Sequence, residues 1–488
     1  MNKLRFIKIA ALSLLLVGGI ACDDIFDVEP STAISTSDAL GSAAGIDGLR
    51  TNMYSKILTS FDMTTEHFVG ASALADETCN RQGSTRFQAQ CTAIGTSGTT
   101  HLGSFGAYEV IQEANLLINE IPDGLIDDAT RDQYRGEALA IRALAYHLLV
   151  RAYAYEPGQF SNGPTANWDA GVMLRTDATT DLTDAEPVAR STVNQVYTQI
   201  LADLTEAESL LSANADLLSA NGFATYEFVL GLRARVLLYQ GEWAAAATAA
   251  QTAITASGLS LVSDSAGVGS MWFQANPEAL FEIKVNASTE NIAGSNANSG
   301  LAVYTSVQWV SQVPTNYTMD TYSADDWRLS GWYATCIQEG CTATNDEGVA
   351  VMKWNGYKGN FVDDIPFMRV AELYLIQAEA AAKASGVASG IAPLNTLRTA
   401  RGLATVAAGD FADVTAFEDE ILLERTRELI VEGHRFWDLK RLGRAIPDGD
   451  GGTKMRADSY RLLAPFGTAY QAVNPLAVEN PDYAVLED

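Results

Sequence analysis

The sequence predicts a mainly α-helical protein: tetratricopeptide-like helix pairs forming a scaffold, with long loops and a few short strands carrying a ligand face. Three features carry that expectation. Apolar residues recur at helical spacing through most of the chain, and Thr225 to Ala256 reads as a complete helix–turn–helix of the kind that stacks in tetratricopeptide arrays. Between the helical blocks, residues 259–364 lose that period and fill with Gly, Ser, Asn and aromatic side chains.

Residues 1–21 begin with the bases Lys3, Arg5 and Lys8 and continue into a 12-residue apolar run, Ile9 to Ile20. A helix crossing a bilayer needs about 20 apolar residues, so this run has the length of a signal-peptide core. It ends in Gly19-Ile20-Ala21-Cys22, which resembles a lipobox, with Gly19 where many such boxes hold Leu. Cys22 is the expected acylation site and residues 22–40 the expected tether. Two or more acyl chains, at about 0.8 kcal/mol per buried CH₂, hold a protein stably on a bilayer.

The N-terminal helical part is expected over 41–258. Tyr108 to Ile121 stops before Pro122, and Arg131 to Tyr155 is a long alanine-rich amphipathic helix ended by Pro157-Gly158. Thr192 to Leu211 follows, with Ser191 as its cap. In the 225–256 pair the turn is Gly241-Glu242, and the small residues Gly231, Ala234, Ala245 and Ala249 are expected where the two helices approach. The pattern returns in degenerate form at Phe367 to Arg401, within a C-terminal helical part expected over 365–444. Residues 445–488 read as a closing tail.

In the intervening region, Leu280 to Val285 and Val349 to Trp354 alternate as short strands do. Four of the eight tryptophans (Trp309, Trp327, Trp332, Trp354) fall in 309–354, accompanied by Tyr304, Tyr317, Tyr322, Tyr333 and Tyr357. Aromatics on loops above a rigid scaffold are usual equipment for binding; for any single ring, the competing reading is that it packs a loop onto the helices. Cys79, Cys91, Cys336 and Cys341 remain after Cys22, an even number in an exported chain. Proximity pairs Cys79 with Cys91 and Cys336 with Cys341.

The 32 basic and 60 acidic residues give a net charge of −28, or −31 without the three leader bases. Such a surface repels phosphate backbones, which argues against nucleic-acid binding. The four histidines (His67, His101, His147, His434) stand in no HExxH, and no Walker A, GxGxxG or GxSxG serine occurs. Asp448-Gly449-Asp450-Gly451-Gly452 resembles part of a calcium loop without the remaining ligands, and a turn is the expectation. Neither catalytic residues, nor a metal, nor a cofactor is therefore expected.

Phe417 to Arg444 is a charged helix on an apolar ladder, interrupted at Gly433. Glu424 and Arg427, Glu432 and Arg435, and Asp438 and Arg441 are opposite charges three residues apart, hence neighbours on a helix surface. An arginine beside each carboxylate favours its ionised form, whereas a general acid of a glycosidase needs the reverse. The expectation is a structural charge network clasping neighbouring helices.

The same segment resembles the C-terminal signature of the SusD/RagB family: Glu424, Arg427 and Glu428, then Glu432, Gly433, Arg435, Asp438, Leu439 and Arg441. Three further stretches resemble family landmarks in the right order. These are Asn276 to Ile283, Ile365 to Glu372 with Ala378-Glu379-Ala380, and Ala464-Pro465-Phe466 followed by Asn474-Pro475-Leu476 and Asn480-Pro481-Asp482-Tyr483. The resemblance implies a surface lipoprotein, with Asp23-Asp24 similar to an acidic surface-export signal. It implies capture of oligosaccharides or peptides as the lid of a SusC-type TonB-dependent β-barrel transporter. The family supplies no ligand motif that transfers to single residues. The candidates are Arg81 and Phe87, within the segment closed by Cys79 and Cys91, and the rings of Trp309, Tyr317, Trp327 and Trp332. Two other functions remain open: a scaffold lipoprotein recruiting another envelope protein, and a carbohydrate-active enzyme.

Overall fold

Helices form where the chain offers a polar cap followed by an unbroken apolar stripe. The structure, a computed structural model, describes residues 35–60, 62–92, 105–159, 167–181, 186–213, 222–286, 301, 310–359 and 362–481. The leader, Cys22, most of the tether, His101 and Trp309 lie outside the described residues. The last part of the expected tether is already folded, as a short helix at Thr36–Ala39 capped by Ser35.

The longer helices are α1 (Ala43–Thr59), α2 (Gly106–Asn119), α3 (Asp128–Tyr153), α4 (Val193–Ala213), α5 (Tyr226–Gln240) and α6 (Trp243–Ser257). After the loop region come α7 (Val370–Ser385), α8 (Val387–Ala400), α9 (Val414–Leu429) and α10 (Arg435–Arg441). Side-chain caps open several of them. Asp127 accepts from the Thr130 N–H (2.9 Å) at α3, Thr225 from Phe228 (3.3 Å) at α5, and Asp413 from Ala416 (2.9 Å) at α9. At α4 the cap is Thr192, whose hydroxyl accepts from the Gln195 N–H at 3.2 Å. Ser191, the expected cap, instead donates its N–H to the Val172 carbonyl.

Each of α1 to α6 packs on the next, and α6 packs in turn on α7, which also holds α8 and α9. Helix pairs joined by short turns thus stack into one scaffold, as the 225–256 repeat predicts. The contact register within that pair differs from expectation. Ala246, Ala250, Ala253 and Ile254 form the buried stripe of α6, while Ala245 is exposed. A helix this rich in alanine offers no large side chain to mark its inner face. Gly231 faces strands, not α6: a Cβ there would collide with the Met368 sulfur.

Short antiparallel strand pairs hold the loop region. β1 (Thr78–Asn80) pairs with β3 (Gln312–Pro314), β2 (Ala279–Ile283) with β6 (Ile365–Arg369), β4 (Tyr333–Thr335) with β5 (Val349–Val351), and β7 (Ile446–Pro447) with β8 (Thr453–Met455). Residues 365–369, expected to begin a helix, are strand. Pro366 has no N–H to give a helix interior, and α7 starts only at Val370, whose N–H reaches the Glu278 carbonyl at 2.8 Å. β2 leaves the scaffold and β6 returns to it alongside, so the loop region enters and leaves through a buried two-stranded root.

Candidate ligand face and the charge network beneath it

The two stretches expected to meet a ligand do meet one another. β1 aligns Thr78 with Pro314, Cys79 with Val313 and Asn80 with Gln312. Disulfides join Cys79 to Cys91 and Cys336 to Cys341, and the two loops so closed are hydrogen-bonded together. The Gln82 N–H donates to the Gly340 carbonyl at 3.1 Å, and the Thr344 hydroxyl to the Asn80 carbonyl at 2.8 Å. Arg81 ties the same join, its Nε donating to the Val310 carbonyl at 2.7 Å and Nη1 to that of Glu339 at 3.2 Å. A stiff platform results, with Gln82, Thr85, Gln88, Glu339 and Thr342 exposed on it and Ile337 standing 71% exposed.

The sequence candidates divide on this frame. Arg81 and Phe87 lie in the platform; Arg81 is spent on main-chain carbonyls, and Phe87 is half-buried with a left-handed φ of 56°. Tyr317 sits at its base, its hydroxyl accepting from Arg435 Nη2 at 3.2 Å. The two tryptophans go elsewhere. Trp332 is wholly buried, donating from Nε1 to the Val268 carbonyl at 2.8 Å and meeting Trp272 edge-on, so its ring is core and not a ligand surface. Trp327 folds onto the α8 terminus, where its ring covers Gly402 and its main-chain N–H donates to the Arg401 carbonyl at 3.0 Å.

Beneath the platform lies a buried charge network. Glu424 and Glu428, one turn apart on α9, and Glu432 just beyond it point into the protein. Arg328 meets Asp326 (2.7 Å), Glu424 (2.7 Å) and Glu428 (2.9 Å), all fully buried. Lys353 reaches Glu432 at 2.6 Å and the Glu428 carbonyl at 2.7 Å. Arg369 bridges Glu278 (2.9 Å), Glu428 (3.0 Å) and Glu432 (2.7 Å), and Arg401 joins Glu278 (2.9 Å) to Glu428 (2.8 Å). Arg328 and Lys353 belong to the loop region, and Arg369 and Arg401 to the scaffold. The carboxylates therefore fasten one to the other.

Burial alone would push Glu424 up, but Arg328 and Arg427 outweigh it and bring the carboxyl down to about 2. Glu428 is likewise held well below the carboxylate range, burial being overcome by Arg401, Arg369 and Arg328. These are ionised structural groups. A buried ion stripped of its partner destabilises a fold by about 3–5 kcal/mol.

Of the expected spacing pairs, Glu424–Arg427 (2.7 Å) and Asp438–Arg441 (2.9 Å) form, although buried and not on a helix surface. Glu432–Arg435 does not. Glu432 turns to Arg369 and Lys353, while Arg435 clasps Asp76 beside β1 in a two-point contact of 2.8 and 2.9 Å. The helix is broken between them. Val431 (φ 54°) and Gly433 (φ 76°) both adopt left-handed conformations, and a Cβ on Gly433 would meet the His67 carbonyl at 2.5 Å. A β-branched residue there is strained; the break re-aims the chain so that neighbouring charges serve different partners. Asp438 gathers Arg425 and Arg441, and Arg441 continues to Glu379 on α7.

Sequence reasoning missed Arg328, Lys353, Arg401 and Asp76 as members of this network. The one signal was their rarity: bases are few in this chain, and several of those present are buried. His67, His147 and His434 are buried, and burial pushes each well below its usual range, leaving it neutral. Asp448 Oδ1 accepts from the N–H groups of Asp450 (2.9 Å) and Gly452 (2.8 Å), the turn expected of that stretch. Among the described residues no helix is long and apolar enough to cross a membrane.

Scaffold, root and platform define a helical-repeat protein that presents a loop-built face. Residues 338–485 match the family described as SusD family, and residues 26–238 the one described as "Starch-binding associating with outer membrane". SusD-like protein P38 of Formosa agariphila is 26% identical, over 99% of this chain and 100% of its own length. Among solved structures, a SusD superfamily protein from Bacteroides thetaiotaomicron is 23% identical, with a TM-score of 0.76 over 92% of this chain and 100% of that one. A laminarin-binding SusD-like protein is 21% identical, with a TM-score of 0.70 over 91% of this chain and 100% of that one. Two SusD-type family models thus match residues 26–238 and 338–485, and the chain is similar to SusD-like proteins along nearly its whole length.

Proposed function

We propose that this protein is a lipid-anchored, surface-exposed glycan-binding protein that acts as the lid of a SusC-type TonB-dependent outer-membrane transporter. The observation that carries the reading is the platform, where two disulfide-closed loops, joined through Arg81 and Gly340, hold exposed polar groups on a stiff base. Hydroxyl-rich ligands are bound by such polar groups beside apolar side chains. Gln82, Gln88, Glu339 and Ile337 are the proposed contacts, with Tyr317 at the base and Trp309, which precedes the Arg81-held Val310 in the chain. The outer-membrane description of the matched family and the laminarin-binding neighbour support a glycan and an envelope location. The Cys22 anchor supplies the attachment in this reading.

Calorimetry of the detergent-purified full chain against laminarin, starch oligosaccharides and peptides tests it. Binding of a glycan, weakened at least tenfold by Gln82→Ala with Gln88→Ala, is the expected result. Heat from peptides alone would sink the glycan reading. Co-purification tests the partner: a large β-barrel protein is expected, and recovery of soluble periplasmic proteins only would favour a recruiting scaffold.

A further inference from the structure

A cavity of about 730 Å³ lies between the C-terminal ends of α3 and α10 and the segment after β8. Its size falls in the range of small-molecule sites. Leu442, Leu462 and Tyr155 give it an apolar floor, and Gln159 and Thr453 add polar groups. Arg456 and Asp458 line this cavity and also a second hollow of about 440 Å³, beside Tyr460, so the pair stands between the two hollows of the cleft. Their contact is two-pointed, Nε to Oδ1 at 2.8 Å and Nη2 to Oδ2 at 2.7 Å, and their side chains are 79% and 54% exposed.

Resting on the glycan-binding reading above, we infer that this cleft is a second saccharide site, taking a neutral oligosaccharide across the Arg456–Asp458 fork. A paired guanidinium and carboxylate set N–H donors beside oxygen acceptors in one plane, the complement of adjacent sugar hydroxyls. The apolar floor suits the C–H face of a pyranose ring. The fork carries no net charge, and the Lys440 ammonium is committed to the Ala154 carbonyl (2.7 Å) and Glu156 (3.2 Å). The other cations lining the two hollows are engaged as well, Lys454 with the Ala73 carbonyl (2.9 Å) and Arg461 through Nε with the Tyr460 hydroxyl (3.0 Å), in a chain whose net charge of −28 repels an anionic ligand.

The β7–β8 hairpin separates this cleft from the platform. Gly449 lies against Thr315 on the platform side, while Thr453 and Arg456 line the cleft. The two sites can thus be lost one at a time. Ala457 is exposed and lines the cavity, so Ala457→Trp fills the cleft without touching the packed interior.

The test titrates laminarihexaose, maltohexaose and tetra-alanine into the detergent-purified full chain, wild type, Ala457→Trp, Arg456→Ala/Asp458→Ala, and Gln82→Ala/Gln88→Ala. An oligosaccharide that binds with a stoichiometry of two is expected. Each cleft variant should bring it to one, with urea midpoints unchanged, and the Gln82/Gln88 variant should remove the other site. A stoichiometry of one that the cleft variants leave intact overturns this inference and leaves the proposed function standing. Heat from tetra-alanine that Ala457→Trp abolishes overturns the saccharide class. Absence of heat from both oligosaccharides overturns the inference together with the glycan reading.

Discussion

The segment 414–441 and the disulfide platform are both held firmly, but by opposite means. Along α9 and α10 the fastening is charge: Glu424, Glu428 and Glu432 sit in the interior among Arg328, Lys353, Arg369 and Arg401. In the platform it is covalent and main-chain: two disulfides, a three-residue strand pair, and carbonyls that accept from Arg81. A buried ion pair fixes orientation because every misplacement leaves a charge unpaired in a low-dielectric interior. Main-chain ties leave side chains free to face solvent. The difference separates a region whose side chains are consumed by architecture from one whose side chains remain available for binding.

The largest effect should come from the clamp. Arg369→Met leaves Glu278, Glu428 and Glu432 short of the guanidinium they share, and should lower unfolding free energy by about 3–5 kcal/mol in urea titrations. An unchanged midpoint would show that the charges hold nothing. Trp332→Ala should cost a similar amount, about 3–5 kcal/mol, because the indole fills the core under the loop region. Destabilisation of less than about 1 kcal/mol, with a weakened glycan affinity instead, would return Trp332 to the ligand face.

Changes of pH should move the two regions in opposite directions. Glu424 is depressed to about 2 from an ordinary 4.5, so its stabilisation is full above pH 4.5 and fades as pH falls toward 2. Glu77, buried beside Asp76 at the platform base, is pushed by burial up to about 8. Its contribution is full below pH 4.5 and is lost as pH rises through 8. The difference in urea midpoint between the wild type and Glu77→Gln should therefore shift against the wild type as pH rises from 5 to 9; a difference that stays constant with pH would contradict the assignment. The smallest effect belongs to the platform staples. Cys336→Ser with Cys341→Ser should speed amide exchange at Gln82 and at position 336, while α3 and α9 amides keep their protection. Equal acceleration everywhere would mean that the two regions are not mechanically distinct.

Much of this architecture was legible from residues, and the misreadings share a cause. The 225–256 helix pair, the long α3 and both disulfides follow from period, caps and cysteine proximity. The charge network was foreseen as a clasp around α9 and α10, since each carboxylate had an arginine within reach. Which arginine it takes was not foreseeable. The left-handed Val431 and Gly433 turn the chain, sending Glu432 to Arg369 and Arg435 to Asp76, 359 residues away in sequence. Aromatic content likewise marks the region 309–354 without saying which rings face out. Trp332 and Trp354 both meet Trp272, and Lys353 lies over the Trp332 ring, contacts that only the folded chain makes. Local pattern fixes a helix and its caps; long-range pairing decides which polar groups are spent and which are left over.

A double-mutant cycle on Arg328 and Glu424, 2.7 Å apart and both fully buried, examines the join between loop region and scaffold without touching the platform. Arg328→Met, Glu424→Gln and the double variant would be compared by urea unfolding. A coupling energy of about 1.5–3 kcal/mol is expected for contacting groups in one buried network. Additivity within about 0.5 kcal/mol, with the loop region still docked, would contradict the clamp.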